Sequence, residues 1–193
     1  MTFAHWRMAA AGLAGAFILL LPDMRPAAAQ ADRTAGPIYK ECAAGDCEDG
    51  EGEARYTRDG EVLISYTGAF VGGVPNGEGS FTRADGSTFE GTLKDGKRKQ
   101  GIARYANGDV YEGSFEDDLY SGEGVYTFGP GDHEGDVLEG IFGKGAPVDA
   151  TYRWANGQRY SGEWQGWERT GEGTLIYANG DTETGAVRTG ARE

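Results

Sequence analysis

Two hydrophobic patterns divide the chain. Met8 to Leu21 is an apolar run that ends in Ile18-Leu19-Leu20-Leu21 and is broken by Pro22. From Tyr39 onward apolar residues alternate with polar ones: an aromatic or aliphatic residue, Gly two positions on, then a second apolar residue two further on. This triplet occurs as Tyr66-Gly68-Phe70, Phe89-Gly91-Leu93, Tyr111-Gly113-Phe115, Leu138-Gly140-Phe142 and Tyr160-Gly162-Trp164. The starts are 23, 22, 27 and 22 residues apart. A half copy, Glu183-Gly185-Val187, follows Tyr160 by 23 residues, and a degenerate copy begins near Tyr39. Period-two spacing puts the three residues of a triplet on one face of a strand, with intervening polar residues such as Glu112 and Ser114 on the other.

Each unit has a second half. A Gly-x-Gly stands at Gly50/Gly52, Gly77/Gly79, Gly122/Gly124 and Gly171/Gly173, with apolar residues two and four positions later, as in Leu175 and Tyr177; Arg83 is the exception. An Asx-Gly pair then closes the unit at Asp59-Gly60, Asp85-Gly86, Asn107-Gly108, Asn156-Gly157 and Asn179-Gly180. Asx-Gly supplies the positive φ values of a two-residue hairpin turn. The glycine between two apolar residues leaves room for a ring from the next hairpin. No apolar run with three-four spacing extends beyond the leader, so helices are not expected. The predicted fold is all-β: an elongated single-layer array of tandem antiparallel β-hairpins. About 13 strands at ~4.8 Å each would run about 60 Å.

The signature Tyr160-Ser-Gly-Glu-Trp164 followed by Gly171-Glu-Gly173-Thr-Leu-Ile-Tyr177-Ala-Asn-Gly180 closely resembles the MORN repeat. The resemblance covers about Tyr39 to Gly190. It implies an open run of hairpins with an aromatic-lined groove, and contact with membranes or phosphoinositides, protein scaffolding or dimerisation. Some such proteins add a lipid kinase or methyltransferase domain, for which this sequence leaves no segment. Departures from the signature occur at Lys99-Gln100, where a residue and the first Gly of Gly-x-Gly are missing. Others are Asp149-Ala150-Thr151, the loop Gly129 to Asp136 in place of Asx-Gly, and Glu41 and Ala43 in the first copy.

The apolar leader changes the picture of location. His5 and Arg7 precede the run, and Ala27-Ala28-Ala29 before Gln30 fits a small-residue cleavage site. Residues 1–29 read as a secretory signal peptide, or else as an uncleaved interfacial anchor. Residues 30–38 are a linker, 39–190 hold about six repeats plus a terminal half repeat, and 191–193 are a tail. The expected location is periplasmic or secreted. Removing 1–29 takes away Arg7, Arg25 and Asp23, which leaves 16 basic and 30 acidic side chains and a net charge of −14. Such a surface repels nucleic acid and anionic lipid. Cys42 and Cys47, the only cysteines, are expected to form a disulfide in an oxidising compartment. Their spacing is not Cys-x-x-Cys, and His133 is the only histidine after the leader.

Little points to chemistry. Gly-x-Gly here leads into strands rather than a helix, unlike a nucleotide-binding loop. Asp132, Glu134 and Asp136 alternate in a glycine-rich loop and are weighed as a calcium site, against a solvated insertion. Lys94, Lys97, Arg98 and Lys99 form a basic cluster that reads as an anionic docking spot or a solvated turn. No catalytic residue, metal ligand or cofactor is assigned. Candidate groove residues for binding are Tyr66, Phe70, Phe89, Tyr111, Phe115, Phe142, Tyr160 and Trp164, with Phe81, Trp154 and Tyr177 beside them; the bland reading is that they form the core between hairpins. The expected function is a non-enzymatic exported scaffold that binds a protein partner or a second copy of itself. Lipid or glycan binding is the alternative, and a hydrolase of unknown substrate the third.

Overall fold

The computed structural model describes residues 36–187, within the unit Asp32–Glu193. The expected leader (1–29), most of the linker and the tail lie outside the described residues. Thirteen strands follow one another: β1 Tyr39–Gly45, β2 Glu51–Arg58, β3 Glu61–Val71, β4 Val74–Arg83, β5 Thr88–Lys94, β6 Lys97–Arg104, β7 Val110–Glu116, β8 Leu119–Thr127, β9 Val137–Gly143, β10 Ala146–Arg153, β11 Arg159–Gln165, β12 Glu168–Ile176 and β13 Thr182–Val187. They form one open antiparallel sheet in sequence order, with β1 and β13 at its edges. The described residues contain no helix. The all-β hairpin array read from the alternation is therefore the fold.

The register is fixed by glycine. Gly45 faces Gly52, Gly52 faces Gly68, and the row continues through Gly79, Gly91, Gly101, Gly113, Gly124, Gly140, Ala150, Gly162, Gly173 and Gly185. One residue per strand thus lines up across all thirteen, and only Ala150 carries a side chain. A β-sheet slipped by one residue turns every side chain to the wrong face, so this row and the rings flanking it hold the register together.

The space above the glycine row is filled from within each unit rather than by the next hairpin. The Tyr66 phenol lies over Gly68 and Gly79, and a Cβ at Gly79 would strike it. Tyr111 covers Gly113 and Gly124 in the same way, and Tyr160 covers Gly162 and Gly173. Each hydroxyl reaches the carbonyl three residues on: Tyr66 to Ala69 at 3.0 Å, Tyr111 to Ser114 at 3.0 Å and Tyr160 to Glu163 at 3.4 Å. A buried phenol needs such an acceptor, because leaving it unpaired costs about 1–3 kcal/mol. Where the row carries Ala150 instead of Gly, the residue at the tyrosine's place in the triplet is the smaller Leu138, itself fully buried.

The turns differ from the sequence expectation. Of the five Asx-Gly pairs expected to close the units, only Asp59-Gly60 forms a two-residue turn with both φ positive, +52° and +87°. In the other four only the glycine has positive φ, between +87° and +90°. There the chain makes a longer loop: Tyr105 N–H donates to Asp109 O, and Gly108 N–H to Tyr105 O. The Asx side chain accepts the backbone N–H two residues on, as Asn107 Oδ1 does from Asp109 at 3.2 Å; this stabilises the longer loop instead. The two-residue turns sit at the opposite ends of the strands, for example Asp95-Gly96 (+52°, +76°) and Asp117-Asp118 (+50°, +62°).

Candidate functional site

The sheet has one packed face and one open face. The packed face holds the rings. All eight residues named above as groove candidates lie there and are buried: Tyr66, Phe70, Phe89, Tyr111, Phe115, Phe142 and Tyr160 are at most 3% exposed and Trp164 is 8% exposed. Tyr111 stacks on Tyr120 with centroids 3.9 Å apart and meets Phe142 edge-on at 5.2 Å; Phe89 meets Phe115 at 5.7 Å. In this arrangement they form the core between hairpins and offer no open ring face to a ligand. Phe81, Trp154 and Tyr177 are half-buried.

Several rings escaped the sequence reading. Tyr120, Tyr126, Phe128 and Tyr152 are buried, and Trp167 reaches from the β11–β12 turn back to Tyr126 (5.1 Å) and Phe142 (6.4 Å). Tyr120 donates to Tyr105 Oη at 2.6 Å, and Tyr126 donates to Asp109. Burial pushes the Tyr66 and Tyr111 phenols up to about 12 and raises Tyr120, Tyr126 and Tyr152 further. The Tyr126-x-Phe128 alternation was the available signal, but it precedes the atypical loop.

The basic cluster is partly consumed by structure. Arg98 is buried, sits 4.4 Å above the Phe115 ring and donates to Asp118 Oδ1 at 3.1 Å and to its carbonyl at 2.7 Å. Lys97 pairs with Asp117 at 2.6 Å. In the acidic loop Asp136 is turned inward. It accepts hydrogen bonds from Ala155 N–H (2.8 Å) and from Tyr152, with His133 Nδ1 at 3.3 Å. Asp132 and Glu134 stay exposed. Among the described residues no cluster of three or more His, Cys, Asp or Glu is placed to hold a metal ion. Cys42 and Cys47 are bonded to each other, their Cα atoms 5.8 Å apart. The bond closes the N-terminal loop, where Lys40 Nζ donates to Cys47 O (3.0 Å) and Gly73 O (2.9 Å).

The open face carries a channel of about 620 Å³ over β6–β9. Its floor is the backbone of Gly101, Gly113, Gly124 and Gly140. One wall is a cross-strand row, Ile102 facing Glu112, Glu112 facing Val125 and Val125 facing Glu139. The other holds Gln100 facing Ser114, then Glu123 facing Ile141. Three carboxylates and three aliphatic side chains line the channel, and no Lys or Arg does. Glu139 pairs with Arg153 at 3.3 Å, whereas neither Glu112 nor Glu123 has an ion-pair partner among the described residues. Nothing in a single strand announces this wall; it exists only once β6–β9 are in register.

These features define an open, single-layer hairpin-ladder protein with one face free for contact. The MORN repeat family matches it at residues 66–88, 111–133 and 160–182, so the chain carries MORN repeats, which suggest a repeat-containing binding or scaffold module. The three matches are the copies that have Tyr, then Gly and an aromatic two and four positions on, and that keep both glycines of Gly-x-Gly. The unmatched copies from Phe89 and Leu138 have Gln100-Gly101 and Asp149-Ala150 there, yet adopt the same strand pairing. No curated protein matches the chain.

Proposed function

We propose that the chain is a non-enzymatic, exported scaffold that holds a protein partner against the open face of its sheet. The observation that supports this most is the channel over β6–β9, lined by polar and aliphatic side chains on a face that no described part of the chain covers. The ring face is already filled by its own side chains. Export rests on the leader sequence and on the cysteine pair. Immobilised residues 30–193 are expected to retain specific chains from an envelope extract, and to lose them when Ser114→Trp fills the channel. Lipid flotation without protein retention, or turnover in a substrate screen, overturns the reading. N-terminal sequencing of the isolated protein should find a start near Gln30; an intact Met1 contradicts cleavage.

A second reading has its own observation. β13 is an edge strand, exposed along almost its whole length and joined to β12 alone among the described strands. Unpaired strand edges invite pairing with another chain. Deleting residues 183–193 is expected to abolish self-association seen by light scattering; an unchanged oligomeric state removes this route.

A further inference from the structure

We infer that the channel over β6–β9 takes an extended, cationic segment of a partner protein, with Lys or Arg alternating with small or apolar residues. The inference rests on the binding-module reading and names the class of its partner.

Charge decides the sign. The lining contains Glu112, Glu123 and Glu139 and no basic residue, on a chain of net charge −13. Glu112 and Glu123 have no ion-pair partner among the described residues. A phosphate, an anionic lipid headgroup or a nucleic acid would meet only repulsion here, whereas a basic chain is both steered in and held. Shape decides the form. Four strands at ~4.8 Å spacing give a trough about 15 Å long, which four or five extended residues span. It is too shallow to swallow a globular surface loop, but its floor is bare backbone and a chain can lie flat on it.

The wall pattern decides the spacing. Ile102, Glu112, Val125 and Glu139 alternate aliphatic and acidic along one side, strand by strand. On the other side Glu123 and Ile141 face each other. A Lys or Arg stem can lie along Ile102, Val125 or Ile141 while its charged head reaches the neighbouring carboxylate. Ile141 is 44% exposed, and Glu112, Glu123 and Glu139 around it are exposed as well. A partner of this chemistry covers both kinds of group at once.

The test uses residues 30–193 and fluorescence anisotropy with two peptides of about ten residues, one alternating Lys with Thr and one alternating Glu with Thr. Each variant is first shown to keep its β-type circular dichroism. The basic peptide is expected to bind and the acidic one not. E112Q/E123Q should weaken binding about tenfold, and added salt should weaken it in the unmodified protein. D132N/E134Q removes the same charge from an exposed loop and should cost less than about twofold. Ser114→Trp should abolish binding by filling the trough. Equal losses from the two charge pairs, or full binding by Ser114→Trp, would show adhesion to a generally acidic surface and overturn the proposal. Absence of basic-peptide binding, while an envelope protein is still retained by the unmodified chain and lost with Ser114→Trp, overturns the partner class and leaves the binding-module reading standing.

Discussion

At the scale of single residues, the protein is built on a trade of volume between one side chain and two backbones. A tyrosine lies flat where its own strand and the next both carry glycine, and its hydroxyl is satisfied three residues on. Gly124 shows the constraint without any special φ, since a Cβ there would meet the Tyr111 phenol. Gly124→Ala should cost about 2–3 kcal/mol by overpacking, and Tyr111→Leu a similar amount through the cavity it leaves. The chain itself combines the two changes in one unit, which has Ala150 in the glycine row and Leu138 at the tyrosine's place. The double variant should therefore be less destabilised than the sum of the two by at least about 1 kcal/mol, measured by urea unfolding. Additive losses would show that the two positions do not share the space. The same phenols set an alkaline limit. Burial holds Tyr66 and Tyr111 up to about 12, against about 10 in an unfolded chain. The folded state keeps these protons more tightly, so their contribution is complete below pH ~10 and is lost as pH rises through about 12. Tyrosinate absorbance and circular dichroism should change together in that range; ionisation of all tyrosines near pH 10 with the fold intact would contradict it.

At the scale of strands and turns, much was legible and the reasons for the rest are specific. Alternation alone gave thirteen strands, because a half-buried strand writes its period directly into the sequence. The turns misled because Asn107-Gly108 and its relatives serve either a two-residue turn or a longer loop, and the Asx side chain bonding to Asp109 N–H settles which. The two-residue turn Asp117-Asp118 lacks glycine altogether. The rings proposed for binding were correctly placed on one face, but whether that face is open depends on how neighbouring hairpins lean together, which spacing does not encode. The channel walls were invisible for the same reason: Glu112, Glu123 and Ile141 are ordinary wet-face residues until register sets them side by side. The first hairpin depends on its staple. β1 is exposed along its length, and Tyr39 is 62% exposed. Replacing both cysteines, C42A/C47A, should lower stability by about 2 kcal/mol. Limited proteolysis should then cut first between residues 36 and 50. An unchanged midpoint, or cleavage that begins at the C-terminal hairpins, would contradict a capping role for this bond.

At the scale of the whole molecule, a ladder of this kind gains stability from each hairpin and from each junction with its neighbour. That explains how copies departing from the MORN signature at Gln100 and Ala150 persist in the middle of the array: flanking units supply what they lack. A single layer also leaves one face that no described residue covers. On that face lie the acidic walls and exposed aliphatics of β6–β9, the surface proposed to hold the partner. The most direct measurement is carboxyl footprinting by mass spectrometry, free and with a captured partner bound. Glu112 and Glu123 are expected to lose reactivity on binding while Asp132 and Glu134 keep theirs. Protection confined to β13, or unchanged reactivity of Glu112 and Glu123 with the partner in place, would contradict it.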